Sequence, residues 1–305
     1  MAKRQKHGPT GPNHMFGGDW TSTKLAILEK YLRAYAVALK KTHFRKAYID
    51  AFAGTGYRSL ASEDHDSALP LFPDLAQEAP QQLLDGSARL ALQIEPTFDK
   101  YIFVERDPAR CEQLRRLGEE FPELRARIHV QHGEANQVIR EICDKNWQSH
   151  RAVLFLDPYG MQVEWETIEA IARTEAIDLW LLFPLGIGVN RLVTRSGDIP
   201  AGWRTRLDTL LGTTDWYDEF YSVEKTPTLF GEDDERVIKA SIEVIGRYCN
   251  DRLKTVFPNV AAPGVLRNSA NCPLYLLCFA VGNPKGADIA VRIASSLLRE
   301  ITEWH

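Results

Sequence analysis

The chain has 305 residues, 44% of them hydrophobic and 26% charged, which implies a soluble globular protein with one large core or two smaller ones. No run approaches the roughly 18 consecutive apolar residues of a membrane span, and the basic start MAKRQKHGP leads into no apolar stretch, so the expected location is cytoplasmic. The net charge of −4 hides an asymmetry: residues 1–46 carry ten Lys or Arg against two acids, whereas 59–85 carry six acids and no Lys or Arg. A basic arm of this kind either touches phosphate or is a solvated, partly disordered lead into a charged helix.

In chain order, Leu25, Leu28, Leu32, Tyr35 and Leu39 recur at helical spacing and predict a helix over 23–41. A short strand over 47–52 runs into a glycine turn, and the acidic, proline-bearing interval 59–85 reads as a loop insertion before a helix that opens at Ser87. Strands are then predicted over 101–105, 128–131, 152–157 and 177–183. They alternate with helices over 108–121, 135–146 and 164–173, the pattern of a parallel sheet covered by helices. Residues 188–260 read as mainly helical, with helices over 203–221 and 235–253; strands over 264–268 and 274–281 and a helix over 288–301 close the chain. The expected organisation is a basic arm and helix (1–45), a Rossmann-like core (46–187), a helical insertion (188–260), and a C-terminal part (261–305) that completes the core.

Cys111, Cys143, Cys249, Cys272 and Cys278 are odd in number and form no CxxC pair, so reduced thiols are expected rather than a disulfide framework or zinc knuckle. The eight histidines are scattered, without an HxH or HxxxH pair, and no metal site is expected.

Ligands of an open parallel sheet bind beyond the carboxyl ends of its strands, which makes polar and glycine residues there informative. The first such end is Asp50-Ala51-Phe52-Ala53-Gly54-Thr55-Gly56, where Gly54 and Gly56 allow close backbone approach to a ligand, although paired glycines also mark ordinary turns. Ser59 stands where a dinucleotide fingerprint has its third glycine, which argues against a nicotinamide enzyme. The second strand ends at Glu105, an acid able to accept from both hydroxyls of a ribose. Near the third end stands Glu134, either an acceptor for an adenine amine or an acid that favours a helix start.

This order of motifs resembles the class I S-adenosylmethionine-dependent methyltransferases. The resemblance implies a mostly parallel Rossmann-like sheet with an antiparallel last strand, a cofactor held by Asp50, Phe52, Gly54 and Gly56, and ribose recognition by Glu105. More closely, FGGDWTSTKL (16–25), YIDAFAGTG (48–56), YIFVERD (101–107), LFLDPYGMQVEW (154–165), AIDLWLLFPLGIGVNRL (176–192) and WRTRLDTLLGTTDW (203–216) resemble the three-Cys-motif partner protein (TcmP) family. That resemblance implies a neighbouring three-Cys-motif protein as a partner and supplies no reaction.

The fourth strand end is Asp157-Pro158-Tyr159-Gly160. Methyltransferases acting on adenine N6 or cytosine N4 carry [DN]PP[YF] there, and the segment with one proline is similar to that of the tRNA guanine-N2 dimethyltransferases. An exocyclic amine of an RNA or DNA base is the implied acceptor, with Asp157 and Pro158 aligning it and Tyr159 stacking on the base. The plainer reading is an Asp-Pro turn after a strand. Asn190 and Arg191, beyond the fifth strand, are candidate substrate contacts, and Arg195, Arg204 and Arg206 add charge nearby. Trp203 and Trp216 are expected to pack the insertion rather than stack on bases. Two functions remain open: methyl transfer from S-adenosylmethionine to a base amine, or a non-catalytic cofactor-binding subunit of a partner protein in a mobile-element or defence system.

Overall fold

A computed structural model describes residues 20–53, 86–226, 234–302 and 304. The basic arm, the acidic insertion, and Gly54 and Gly56 lie outside the described residues.

Helix α1 (Trp20–Ala38) precedes strand β1 (Arg45–Asp50). The short helix α2 (Ser87–Leu92) leads to β2 (Lys100–Glu105), α3 (Pro108–Glu120) and β3 (Ile128–His132). Then come α4 (Ala135–Cys143), β4 (His150–Leu156), α5 (Trp165–Arg173) and β5 (Ile177–Phe183). Strands β1 to β5 pair in parallel in the order β3-β2-β1-β4-β5. The last long strand, β10 (Pro273–Val281), runs antiparallel against β5 and takes β8 (Asn259–Val260) and β9 (Gly264–Arg267) on its other side. This is the parallel sheet expected from the alternation, with the Rossmann-like order and antiparallel last strand that the methyltransferase resemblance implies. Helix α9 (Ala287–Leu298) closes the chain.

Both faces are covered, so the central strands are apolar throughout; every residue of β5 is buried. Strand alternation divides them. Tyr48, Phe103, Phe155 and Trp180 face α1, α2, α3 and α9, while Ile49, Val104, Leu154 and Leu181 face α4, α5 and the helices after β5.

The segment after β5 differs in part from its sequence reading. It holds a π-turn (Leu185–Val189) running into a single helical turn (Asn190–Leu192), then α6 (Ala201–Leu211), α7 (Trp216–Phe220) and α8 (Ile242–Lys254). Between α7 and α8 stands a two-stranded hairpin, β6 (Tyr221–Thr226) with β7 (Asp234–Lys239). The helix expected over 235–253 is therefore strand up to Lys239 and helix only from Ile242, after Ser241 caps it by accepting from Val244 N at 3.3 Å. The helix expected over 203–221 breaks at Gly212, which ends α6 in a left-handed conformation, φ +66°. Trp216 is fully buried and Trp203 packs against the same core, as expected.

Candidate functional site

Chain connections leave β1 toward β2 on one side and reach β4 on the other, so the strand order reverses between β1 and β4. A crevice opens at such a switch point. The register places three acids around it. Asp50 pairs with Phe103 on β2 and with Phe155 on β4; Glu105 and Asp157 each stand two residues further along their own chains and flank Asp50 on either side. Beyond Asp50, Ala53 N donates to Val104 O at 3.1 Å, which leans the start of the glycine turn toward the end of β2.

Asp50 is fully buried. Its Oδ2 accepts from Tyr48 Oη at 3.2 Å and its Oδ1 from Phe52 N at 3.4 Å. Burial pushes its carboxyl up to about 7; a hydrogen bond from Ser87 opposes this and the Asp157 charge adds to it. Glu105 is 8% exposed, receives Asp107 N on Oε1 at 2.7 Å, and is raised from the ordinary glutamate range by burial. Asp107 itself caps α3 by accepting from Ala109 N and Arg110 N.

Glu134 is exposed and serves as the N-cap of α4, with Oε1 accepting from Asn136 N at 3.0 Å and Oε2 from Gln137 N at 2.9 Å. Of the two roles open to it in sequence, helix start is the one the geometry displays. Its neighbour Asn136 was not singled out, yet it is 4% exposed and joins α4 to the segment after Asp157: Nδ2 donates to Gln162 O at 2.8 Å, and Oδ1 accepts from Glu164 N and Thr167 Oγ1, each at 3.0 Å. An asparagine at the second position of a helix has no sequence signature that separates it from a surface residue.

Asp157 keeps 23% exposure beyond β4 and is followed by buried Pro158, exposed Tyr159 and Gly160 at φ +76° with open space around it. Tyr159, two residues along from Asp157, is 49% exposed, and Gly160 after it takes a positive φ that a side chain would resist. Met161 then packs toward Gly188 of the π-turn, 3.1 Å from where a Cβ would lie.

Reasoning from sequence missed the cation at this site. Lys24 of α1 is 2% exposed and its Nζ pairs with Asp157 Oδ2. The helical pattern named Leu25 and Leu28 and passed over the lysine just before them. Asn190 and Arg191 lie on the turn beyond β5, where Asn190 O accepts from Lys239 Nζ at 2.7 Å and Arg191 is exposed. Arg204, counted as nearby charge, lies over Tyr217 at 4.7 Å and so belongs to the packing of α6 on α7.

All five cysteines are unpaired: Cys111, Cys249 and Cys278 are buried and Cys272 is exposed. Among the described residues no cluster of three or more His, Cys, Asp or Glu suits a metal, and no helix is long and apolar enough to cross a membrane. Two surface depressions lie elsewhere. One, of about 400 Å³, is at edge strand β3 beside Arg115 and Arg125; the other, of about 290 Å³, lies at the opposite end of the sheet by Phe257 and Gly282. Neither gathers buried acids, and the switch point is the stronger candidate on chemistry.

No family model and no curated protein matches the chain. Solved structures with a similar backbone course include a protein from Legionella pneumophila, 13% identical, covering 94% of this chain and 93% of that one with a TM-score of 0.43. Another is a spermidine synthase in complex with the transition-state analogue AdoDATO, 13% identical, with 93% and 66% covered and a TM-score of 0.42. A third is a methyltransferase from Geobacter sulfurreducens, 13% identical, with 70% and 78% covered and a TM-score of 0.30. Scores this low carry no functional weight, and the reading of the site rests on its own residues.

Proposed function

We propose that the chain binds S-adenosylmethionine at the switch point and transfers its methyl group to an exocyclic amine of a nucleic-acid base. The observation that carries this reading is the row of acids at three adjacent strand ends, Asp50 between Glu105 and Asp157, with the exposed ring of Tyr159 next to the last.

The residues fit such a cofactor. A carboxylate closing β2 suits the two hydroxyls of a ribose, and a buried carboxyl closing β1 suits a cationic group that compensates its desolvation. Glu134, through the acceptor capacity its capping bonds leave, is our candidate for the adenine amine, and Phe52, partly buried against the core, is our candidate for a further cofactor contact. S-adenosylmethionine supplies a methyl group already activated on a positively charged sulfur. The protein's part is then positioning and electrostatics.

Asp157 accepts an N–H of the acceptor amine and directs the nitrogen lone pair, while Tyr159 offers its face to the base and Asn190 and Arg191 extend the wall of the cleft. The amine nitrogen forms the new bond to carbon as the carbon–sulfur bond breaks, and that electron pair stays on sulfur. The nitrogen, now carrying an extra bond, gives up a proton to Asp157, whose exposure passes it to water. Three acids against one lysine would repel a phosphate backbone from the cleft itself. An extruded neutral base is what the cleft suits, with the exposed Arg195 further along the chain to meet phosphate.

A second reading follows from Asp157-Pro158-Tyr159, which has one proline fewer than the base-amine motif: a chain that binds the cofactor and serves as a subunit of a three-Cys-motif protein. Titration calorimetry with S-adenosylmethionine and S-adenosylhomocysteine tests what the two readings share; absence of binding by the folded chain overturns both. Incorporation of labelled methyl into total RNA and DNA, with the partner present, separates them. Asp157→Ala should lower transfer at least a hundredfold with cofactor affinity within about twofold of wild type, whereas no incorporation by wild type leaves the subunit reading.

A further inference from the structure

Helix α1 breaks its own pattern at one position. Its residues 24, 27, 28, 31 and 32 are buried at the spacing of a core-facing stripe, and all but Lys24 are apolar or aromatic. An ammonium stays out of water only where a partner compensates it, and the partner is Asp157, 133 positions away in the chain. One turn earlier on the same side of the helix, the Trp20 ring lies 5.0 Å from Nζ, and that ring packs on Tyr275 of β10 with centroids 4.8 Å apart. A run of contacts therefore extends from β10 through Tyr275, Trp20 and Lys24 to the carboxylate at the end of β4. An apolar residue at 24 would fill the same stripe without the desolvation cost, so the lysine is a departure from local rules at a candidate site.

We propose that Lys24 is a positioning residue of the acceptor site: by holding Oδ2 of Asp157 it sets the carboxylate's rotation and leaves Oδ1 to receive the acceptor N–H. The inference rests on the methyl-transfer reading above. Asp157 Oδ1 has no partner among the described residues, and the side chain keeps 23% exposure while Lys24 keeps 2%. The acceptor thus meets the carboxylate and not the ammonium, and Lys24 acts through Asp157. Trp20 and Tyr275 act one step further back, by holding the lysine.

The test uses the full chain, labelled S-adenosylmethionine at saturation and total cellular RNA and DNA as the probe. Lys24→Met, compared at equal folded fraction, should lower turnover about a hundredfold with cofactor affinity unchanged, the loss expected when a reacting group is misplaced by about 1 Å. Trp20→Leu, which keeps both charges, should give a smaller loss in the same direction. In an Asp157→Asn background, Lys24→Met should change turnover by less than about twofold, because the two act as a unit. Lys24→Ala should recover rate with added propylammonium and not with propanol, a distinction that space filling alone would not make. Wild-type transfer that survives Lys24→Met, or full additivity in the Asp157→Asn background, overturns the role of Lys24 alone. Absence of wild-type transfer, with cofactor bound, overturns the enzyme reading and this inference with it.

Discussion

Asp50 sets the pH behaviour of the site. Its carboxyl is raised to about 7 by burial, against hydrogen bonds from Ser87, Phe52 N and Tyr48, and with the Asp157 charge adding to the rise. Asp178, also buried, is raised to about 6 by burial; it accepts from Tyr31 Oη at 2.8 Å and from Gly282 N at 3.1 Å. Between about pH 4, the ordinary aspartate value, and these raised values, the folded chain holds more protons than the unfolded one, so stability falls as pH rises through that window. Melting temperatures across the window should fall less steeply in Asp50→Asn than in wild type; an identical slope would show that Asp50 does not take up the proton. Cofactor affinity should move the other way, because a cation favours ionised Asp50. It should rise with pH up to about 7, by at most tenfold per unit, then level, and calorimetry should find this dependence absent in Asp50→Asn. Tyr31→Phe removes one of two donors to the buried Asp178 and should cost about 2 kcal/mol by denaturant titration; a loss under about 0.5 would mean water replaces the hydroxyl. Of these residues Asp50, Glu105 and Asp157 were legible in sequence because an acid ending an apolar run stands out. Lys24 and Asn136 were not, because each lies inside a helix where polar residues are ordinary.

At the scale of elements, the connections after β5 depend on turns that a side chain would disturb. Gly212 ends α6 with φ +66°, and a Cβ there would lie 2.0 Å from Trp165 Cδ1. Trp165 cannot easily withdraw: its Nε1 donates to Glu169 at 3.0 Å and Arg252 lies over its ring at 4.5 Å. Gly212→Ala should therefore cost about 2 kcal/mol or more, the sum of a left-handed alanine and an overpacked contact, whereas Gly202→Ala on the exposed start of α6, with nothing within 4 Å, should be neutral or slightly stabilising. Denaturant midpoints of the two variants check the contrast. The hairpin of β6 and β7 escaped sequence reasoning for a related reason. Its strands are exposed along nearly their whole length, including Val223 at 56% and Val237 at 38%, so no buried face imposes the alternation by which strands are recognised.

Across the whole molecule, one sheet serves two cores, and Trp180 stands where β5, β10 and α1 meet. Its ring lies 5.3 Å from Tyr31 and 4.9 Å from Phe279, and its Nε1 is buried without a hydrogen-bond partner among the described residues. Trp180→Ala should cost about 3–5 kcal/mol as a cavity, whereas Trp180→Phe should stay within about 1 kcal/mol of wild type, because losing an unsatisfied N–H offsets part of the lost volume. Equal losses in the two variants would point to a water satisfying the indole.

By itself the sequence determined the alternation of strands and helices, the parallel sheet, and the acids that end β1, β2 and β4, since apolar runs and the residues that close them are local properties of the chain. Tertiary structure alone decided that β1 and β4 lie side by side, that the exposed ribbon of β6 and β7 exists, and that Asp157 has a lysine for a partner. The physical reason is distance along the chain. Which face of α1 meets the sheet follows from the packing of Leu28, Tyr31 and Leu32 against strands far away in sequence, and only that packing carries Lys24 and Trp20 to the strand ends.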